Sequence, residues 1–537
     1  MEATSGDTLD SWKAIAAYLH RDVRTVVRWE QARGLPVHRV PGGGRPGVFA
    51  LKSELDAWRR GARLRLVEEG QEEGRGGAPR RRLPSIAVLP FANLSSAKEN
   101  EYFSDGLADE VITLLTRVQG LRVTARTSSF AFRSQLQDAR DIGKKLGVST
   151  ILEGSVQRSG RRVRVSAQLV DASTGFHLWS EQYDCKVGDV FAIEDEISRA
   201  IAGALEVRLA RARITKPTRN QEAYNCWLKA RYHQHYESLE AYAKCRTYLK
   251  RAIALDPLFP QPYLGLADLA RAAVEVGITG PREALAEGRA AIQKAFELDD
   301  SLGEAYALSG AYRAWMDFDW SGADADFERA LALTPASAEA HRLRAINYLV
   351  PTGQLREAEQ EMQQVVALDP VSPVACIDLG KVLLWARQFD RAQAAMEAAF
   401  ELRPDYWLAA WFRGVALYFQ GRIEEALTTW QSVQKKVGAT PVGTGAIGMA
   451  LGQLGRHREA RAALAALDAA ERERYVPRLS RAQIHMGLGE TDAAFEWLDR
   501  AVEERDIHIL DLPCKPIWDG LRADPRFTAL LRKMRLA

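Results

Sequence analysis

A chain of 537 residues is too long for a single hydrophobic core, so several domains are expected. With 47% apolar and 27% charged residues and no apolar run of membrane-spanning length, it reads as a soluble globular protein with no membrane partner. The net charge of +3 hides an asymmetry: residues 11–65 hold twelve Lys and Arg against four Asp and Glu, whereas residues 84–537 hold 57 against 59. A basic unit on a near-neutral body points to a polyanionic partner for that unit alone. The five cysteines are scattered and never spaced as CxxC, and the polar first ten residues lack a signal-peptide core. Both features fit thiols kept reduced in the cytoplasm.

In DSWKAIAAYL, Asp10 and Ser11 are capping residues, and Trp12, Ile15, Ala16 and Leu19 share one face of a short helix. A second helix starts at Asp22 and is closed by Gly34, with Pro36 preventing its continuation. Val23, Val26, Trp29 and Glu30 share its packing face, leaving Arg24, Thr25, Val27, Arg28 and Gln31 on the other. LPVHRV and VFAL, joined by PGGGRPG, read as a hairpin, and KSELDAWRR as a third helix with Leu55 and Trp58 inward. The GxGxxG of Gly42, Gly44 and Gly47 opens no helix and contains Pro46, so it reads as a hairpin tip and not as a nucleotide loop.

That layout is a winged helix-turn-helix over residues 1–65, and SWKAIAAYLHRDVRTVVRWEQARGLPVHRV resembles the MerR and excisionase-like DNA-binding domains. The resemblance implies that the second helix enters the major groove of double-stranded DNA with Arg24, Thr25, Arg28 and Gln31 on its outward face. Arg39 and Arg45, on the hairpin, are then expected on phosphates or in the minor groove. Heads of this type usually read paired half-sites, which implies a homodimer.

Residues 66–84, rich in Gly, Pro and Arg, form a linker. SIAVLPF then reads as a buried strand, EYFSDGLADEVITLLTRV as a helix, LRVTART as a strand and DARDIGKKLG as a helix. STILEGSVQ, RRVRVSAQLVD and FHLWSEQYD follow as strands and VFAIEDEISRAIAGALEVRL as a closing helix, giving an α/β unit with an antiparallel edge over 85–210. SIAVLPF, EYFSDGLADEVI, ARTSSFAF, LEGSV and AQLVDASTGFHLWSEQYD are similar to the TolB-like domain, a binding or assembly module in bacterial signalling proteins. Asp105, Asp109 and Glu110 could be mistaken for a catalytic set, but carboxylates near a helix start suit the helix dipole whatever their function.

From residue 221 to 510 the chain repeats. Small or near-small residues fall at Cys245, Gly288, Ala323, Ala358, Ala392, Ala426, Ala460 and Ala494, with steps of 43, 35, 35, 34, 34, 34 and 34. Pro257, Pro335, Pro370 and Pro404 lie twelve residues after four of them. This is the tetratricopeptide (TPR) signature, in which the small residue lets two helices approach and the proline ends the second. An all-α superhelical solenoid is expected, with residues 511–537 as a C-terminal capping helix and a concave groove for a protein or peptide partner. Trp315, Trp385, Trp407, Trp411 and Trp430 are read as repeat core before groove lining. His233 and His235 diverge on a helix and make a poor metal pair.

No catalytic, cofactor or metal motif stands out. The multidomain order of winged helix-turn-helix, α/β TolB-like domain and TPR solenoid reads as a cytoplasmic DNA-binding regulator and not as an enzyme. The alternatives are a TPR scaffold without sequence-specific DNA binding and, further off, a nucleotide-cyclase-related signalling protein.

Overall fold

The computed structural model describes residues 8–18, 23, 26–27, 30, 35–39, 48–52, 54–55, 83–95, 101–133, 138–159, 162–186, 190–205, 208–209, 218, 220–234, 239–275 and 277–537. The chain divides into two compact units, Met1–Arg80 and Arg81–Ala537.

The first unit is built on three short antiparallel strands, β1 (Thr8–Leu9), β2 (His38–Arg39) and β3 (Val48–Leu51), in the order β1-β3-β2, with helix α1 (Trp12–Tyr18) beside them. The expected hairpin pairs His38 with Phe49 and Arg39 with Val48. Ser11 caps α1 by accepting the Ala14 N–H at 3.1 Å, and Ile15, Ala16, Val26, Leu35, Ala50 and Leu55 form the core. Strand β1 was not expected, because a Thr-Leu pair is too short to show any alternation. Val23, expected on the packing face, is 39% exposed. Leu19, Trp29 and Trp58 lie outside the described residues.

The second unit opens with a six-stranded sheet. Its strands are β4 (Ser85–Val88), β5 (Ala92–Asn93), β7 (Arg122–Val123), β8 (Thr150–Ser159), β9 (Arg162–Asp171) and β10 (His177–Lys186), and a separate β6 (Val118–Gln119) pairs with β11 (Arg208–Leu209). The order is β10-β9-β8-β4-β7, with β5 also on β8; β4 runs parallel to both neighbours and β8–β10 form an antiparallel meander. The α/β pattern with an antiparallel edge is therefore present. Val163, Val165, Ala167 and Leu169 of β9 alternate inward under α2 (Glu101–Leu115) and α5 (Val190–Ala204). Helix α4 (Ala139–Leu146) packs Ile142 and Leu146 on the opposite face. A five-residue helix, α3 (Arg126–Phe130), was not expected.

Eight helical pairs follow: α6–α7 (Gln221–Gln234, Leu239–Leu255), α8–α9 (Gln261–Glu275, Pro281–Leu298), α10–α11 (Gly303–Tyr312, Trp320–Leu333), α12–α13 (Ala338–Arg344, Leu355–Leu368), α14–α15 (Pro373–Trp385, Phe389–Leu402), α16–α17 (Trp407–Phe419, Ile423–Val437), α18–α19 (Pro441–Gln453, His457–Ala470) and α20–α21 (Arg478–Gly487, Thr491–Glu503). Every small residue of the repeat sits buried in a second helix. At Gly288 the reason is steric, since a Cβ there would lie 1.9 Å from the Tyr312 hydroxyl. The steps of 35 residues that end at Ala323 and Ala358 coincide with π-helical turns at Arg313–Asp317 and Ala345–Leu349. A π turn takes up one extra residue without breaking the helix, so the repeat keeps its register.

The end of the chain departs from a simple cap. Residues 511–537 form a 3-10 turn (Pro516–Leu521) and a short helix, α22 (Pro525–Lys533), after another 3-10 turn at Ile507–Ile509. This segment packs on the last repeat and also returns to much earlier ones. The indoles of Trp315 and Trp320 donate to the carbonyls of Arg505 and Met534, each at 2.8 Å, and Arg387 donates to the Cys514 carbonyl at 2.7 Å. Helices α18 and α20 cross closely, and a Cβ on Gly452 would lie 2.5 Å from the Gly487 backbone. Tyr475 lies alongside Gly280 of the second repeat.

Candidate functional sites

On the first unit, only Arg39 among the expected DNA-contacting residues is described. Arg24, Thr25, Arg28, Gln31 and Arg45 lie outside the described residues. Strand pairing in β2 points Arg39 outward, and its guanidinium, 59% exposed, donates to Glu30 Oε1 at 2.7 Å. Beside it, His38 stacks on Phe49 with 5.0 Å between ring centroids and pairs with Glu54. Both polar side chains of β2 are thus braced by acids while remaining largely open to a ligand.

A second site is the joint between the sheet domain and the solenoid. Helix α2 lies on α6, with Gly106 at the closest approach, where a Cβ would meet the Leu228 side chain at 2.4 Å. One turn further along α2, Asp109, 5% exposed, accepts from Arg231 Nε and Nη2 at 2.9 and 2.6 Å, with Arg126 Nε 3.4 Å away. Asp105 pairs with Arg133, which also donates to Glu101 at 2.7 Å. The helix-dipole reading of these acids was incomplete: Asp109 is the partner of an arginine 122 residues away. Burial pushes the Glu110 carboxyl up to about 7; Arg231 and Arg117 oppose the rise while Asp109 and Glu304 add to it. Burial likewise raises Glu304.

The joint has a second bolt at the fourth repeat. Helix α3 begins at Ala125, which has no capping side chain, and the Asp369 carboxylate from the end of α13 accepts the Ser128 N–H at 2.9 Å. Asp369 thus supplies in trans the N-cap that α3 lacks. The Ser128 hydroxyl in turn accepts from Val371 N–H at 2.9 Å, and the Ala125 N–H donates to the Leu368 carbonyl at 2.7 Å.

A third arrangement runs across the first helices of the repeats. Arg271 reaches Asp268 at 2.8 Å, Glu275 at 3.1 Å and Glu339 at 3.9 Å; Arg342 reaches Glu339 at 2.8 Å and Asp378 at 3.3 Å; Lys381 reaches Asp378 at 3.0 Å. Burial pushes Asp378 up, yet Lys381 and Arg342 together hold it below the usual carboxylate range. Alternating charges of this kind link α8, α12 and α14 into one ladder. Sequence reading missed it; its trace is an acid three residues before a base in α8, α12 and α14, a pattern that α10 between them lacks. The tryptophans divide: Trp315, Trp385 and Trp430 are buried core, whereas Trp407 and Trp411 are half-buried. His233 stacks on Tyr248, and among the described residues no group of His, Cys, Asp and Glu is arranged to hold a metal. No described helix is long and apolar enough to cross a membrane.

Comparison with known proteins bears on the two larger domains. Residues 82–200 match the second domain of HilA/YgeH-like transcriptional regulators, and residues 377–434 and 446–506 match a tetratricopeptide repeat family. A Rhizobium meliloti (strain 1021) protein named "Putative adenylate cyclase 3" is 39% identical over 191 residues, which are 35% of this chain and 32% of that one. The match thus spans about a third of that relative's length. Among solved structures, PilW, a widely conserved type IV pilus biogenesis factor, aligns at 16% identity over 39% of this chain and 93% of its own, with a TM-score of 0.31. A human IFIT1 dimer with m7Gppp-AAAA aligns at 13% identity over 62% and 78%, with a TM-score of 0.41. TolB from Acinetobacter baumannii aligns at 21% identity over 24% and 30%, with a TM-score of only 0.18. The sheet domain is therefore HilA/YgeH-like in its matched family, and its TolB-like character rests on the residues quoted above alone. The TPR repeats are present, and together with the regulator-like domain they indicate a regulatory or protein-interaction role.

Proposed function

We propose that this chain is a cytoplasmic DNA-binding transcriptional regulator and not an enzyme. Its first unit is a MerR or excisionase-like winged helix-turn-helix that binds double-stranded DNA as part of a homodimer. The second helix reads bases with Arg24, Thr25, Arg28 and Gln31, and Arg39 and Arg45 hold the backbone. The sheet domain and repeats receive a signal or recruit a protein. The observation that carries this reading is the twelve-to-four excess of basic residues confined to residues 11–65, around a hairpin whose Arg39 is open. The likeness of residues 82–200 to a domain of transcriptional regulators supports it.

The test is binding of the full chain to duplexes from its own upstream region, against a scrambled duplex, across a salt series. Preferential binding that weakens steeply with salt is expected. Arg28→Ala should lose about 1–3 kcal/mol and relax the preference at one base. Equal, weak binding to both duplexes, unchanged by Arg28→Ala, would refute the reading.

A second reading is a TPR scaffold in cyclase-type signalling, favoured by the 191-residue likeness to the Rhizobium meliloti protein. Cyclic nucleotide formation by the purified chain would move it from scaffold to enzyme. Capture of a defined partner that survives nuclease treatment and needs the repeats would favour the scaffold over the DNA reader.

A further inference from the structure

The terminal segment is held in a way that does not require it to belong to the same chain. Its apolar residues Ile509, Leu512, Trp518, Phe527, Leu530 and Met534 are all buried. Its backbone carbonyls at Met534 and Cys514 accept from Trp320 of the third repeat and Arg387 of the fifth, while the Arg505 carbonyl just before it accepts from Trp315. Side chains add Arg387 to Asp519 at 2.7 Å and, on α21 of the eighth repeat, Arg526 to Asp492 at 2.8 Å and Lys533 to Asp499 at 2.5 Å and to Glu503 at 3.3 Å. Apart from the adjoining Asp506, everything this segment touches outside itself lies before residue 505, so one short connection joins two halves of an interface.

That connection is conformationally costly. Arg505, between the end of α21 and the buried Asp506, adopts a φ of 59°, in the left-handed region that a residue with a Cβ disfavours. A short hinge held in such a conformation invites exchange of the segment beyond it, because a second copy offers the same contacts while the hinge relaxes. We propose that residues 507–537 are an exchangeable arm, and that two copies of the chain dimerise by each seating its arm on the other's third, fifth and eighth repeats. The partner fitted by this strip is then a second copy of the chain, with Arg505 near the two-fold axis. The closed form described here is the monomer, kept closed by the high effective concentration of an arm already tethered beside its site.

The inference stands apart from DNA binding and is tested without DNA. Arg505→Pro and Arg505→Gly both remove the side chain, but proline cannot take a positive φ whereas glycine takes it freely. Arg505→Gly should keep the monomer mass of 59.7 kDa in light scattering, and Arg505→Pro should shift to about twice that value. Mixing ¹⁴N- and ¹⁵N-labelled Arg505→Pro before refolding, then joining Lys533 to Asp499 with a zero-length carbodiimide, should give cross-linked peptides carrying one label from each copy. A folded Arg505→Pro that stays monomeric overturns the proposal, and so do dimers whose cross-links never mix labels. Should Arg505→Pro fail to fold, the same mixed-label cross-link is sought in wild-type chain refolded at high concentration. Mixed labels there support exchange, and their absence overturns it.

Discussion

Glu110 gives the most direct access to the joint. Folding raises its carboxyl from 4.5 to about 7, chiefly through burial, so the ionised form is the one the folded state disfavours. The associated stabilisation is fully present below pH 4.5 and is lost as the pH rises through about 7. A shift of this size corresponds to about 3 kcal/mol at one pKa unit per 1.36 kcal/mol, which solvent access to a half-buried carboxylate reduces to about 1–2 kcal/mol. Glu110→Gln removes the ionisation while keeping the shape. The variant should therefore melt higher than wild type at pH 8, by about 1–2 °C for a unit of this size, and retain only a small part of that advantage at pH 5. Arg231, Arg117, Asp109 and Glu304 are the charged groups that face this position, and Arg231→Met should enlarge the pH 8 effect by removing the main cation opposing it. The assay is thermal unfolding of the full chain at both pH values. An equal difference between Glu110→Gln and wild type at pH 5 and pH 8 would refute the reasoning, because it would show a carboxyl already ionised throughout.

Asp369→Ala should cost about 1–2 kcal/mol and speed hydrogen exchange at residues 126–130, since α3 loses the cap it borrows from the fourth repeat. Exchange in α4, whose own Asp138 accepts the Arg140 N–H, should not change. Gly452→Val should cost about 1–3 kcal/mol by driving its side chain into the Gly487 backbone, and the radius of gyration from X-ray scattering should rise as the arm loses its seat. Gly520→Ala, with no atom within 4 Å of the added carbon, serves as the neutral comparison within about 0.5 kcal/mol. Trp315→Phe keeps a ring in the buried site but deletes the donor to the Arg505 carbonyl, and should lower stability by about 1–3 kcal/mol because that carbonyl is left unpaired.

What the sequence disclosed follows from the range of the interactions involved. The buried alanines of the second helices, the prolines two residues past α7, α11, α13 and α15, and the alternation of β9 are local patterns, and each was readable because one residue type answers one local need. Even the steps of 35 residues were in plain view, although periodicity alone does not say that the surplus residue becomes a π turn. Asp109 shows where local reasoning stops. Its position near a helix start suits the dipole, and nothing within a helical turn of it discloses Arg231 in the first repeat.

The arm was hidden for a different reason. Part of its polar recognition is by backbone carbonyls, which every residue carries, and the rest is by ion pairs such as Arg526 with Asp492 and Lys533 with Asp499, whose partners lie too far along the chain for a local pattern to show them. The signal lay with the donors. The Trp315 indole is buried inside a helix whose own carbonyls are already engaged, and a buried N–H must find an acceptor or incur a free-energy penalty. Trp315, in the π turn after a first helix, and Trp320, at the start of a second, each reach an oxygen far along the chain, and Arg387 adds the Cys514 carbonyl to the local Trp385 carbonyl it already holds. Read this way, a solenoid's unmatched donors mark where a distant or foreign backbone will lie, and here they trace the path of the arm from Arg505 to Met534.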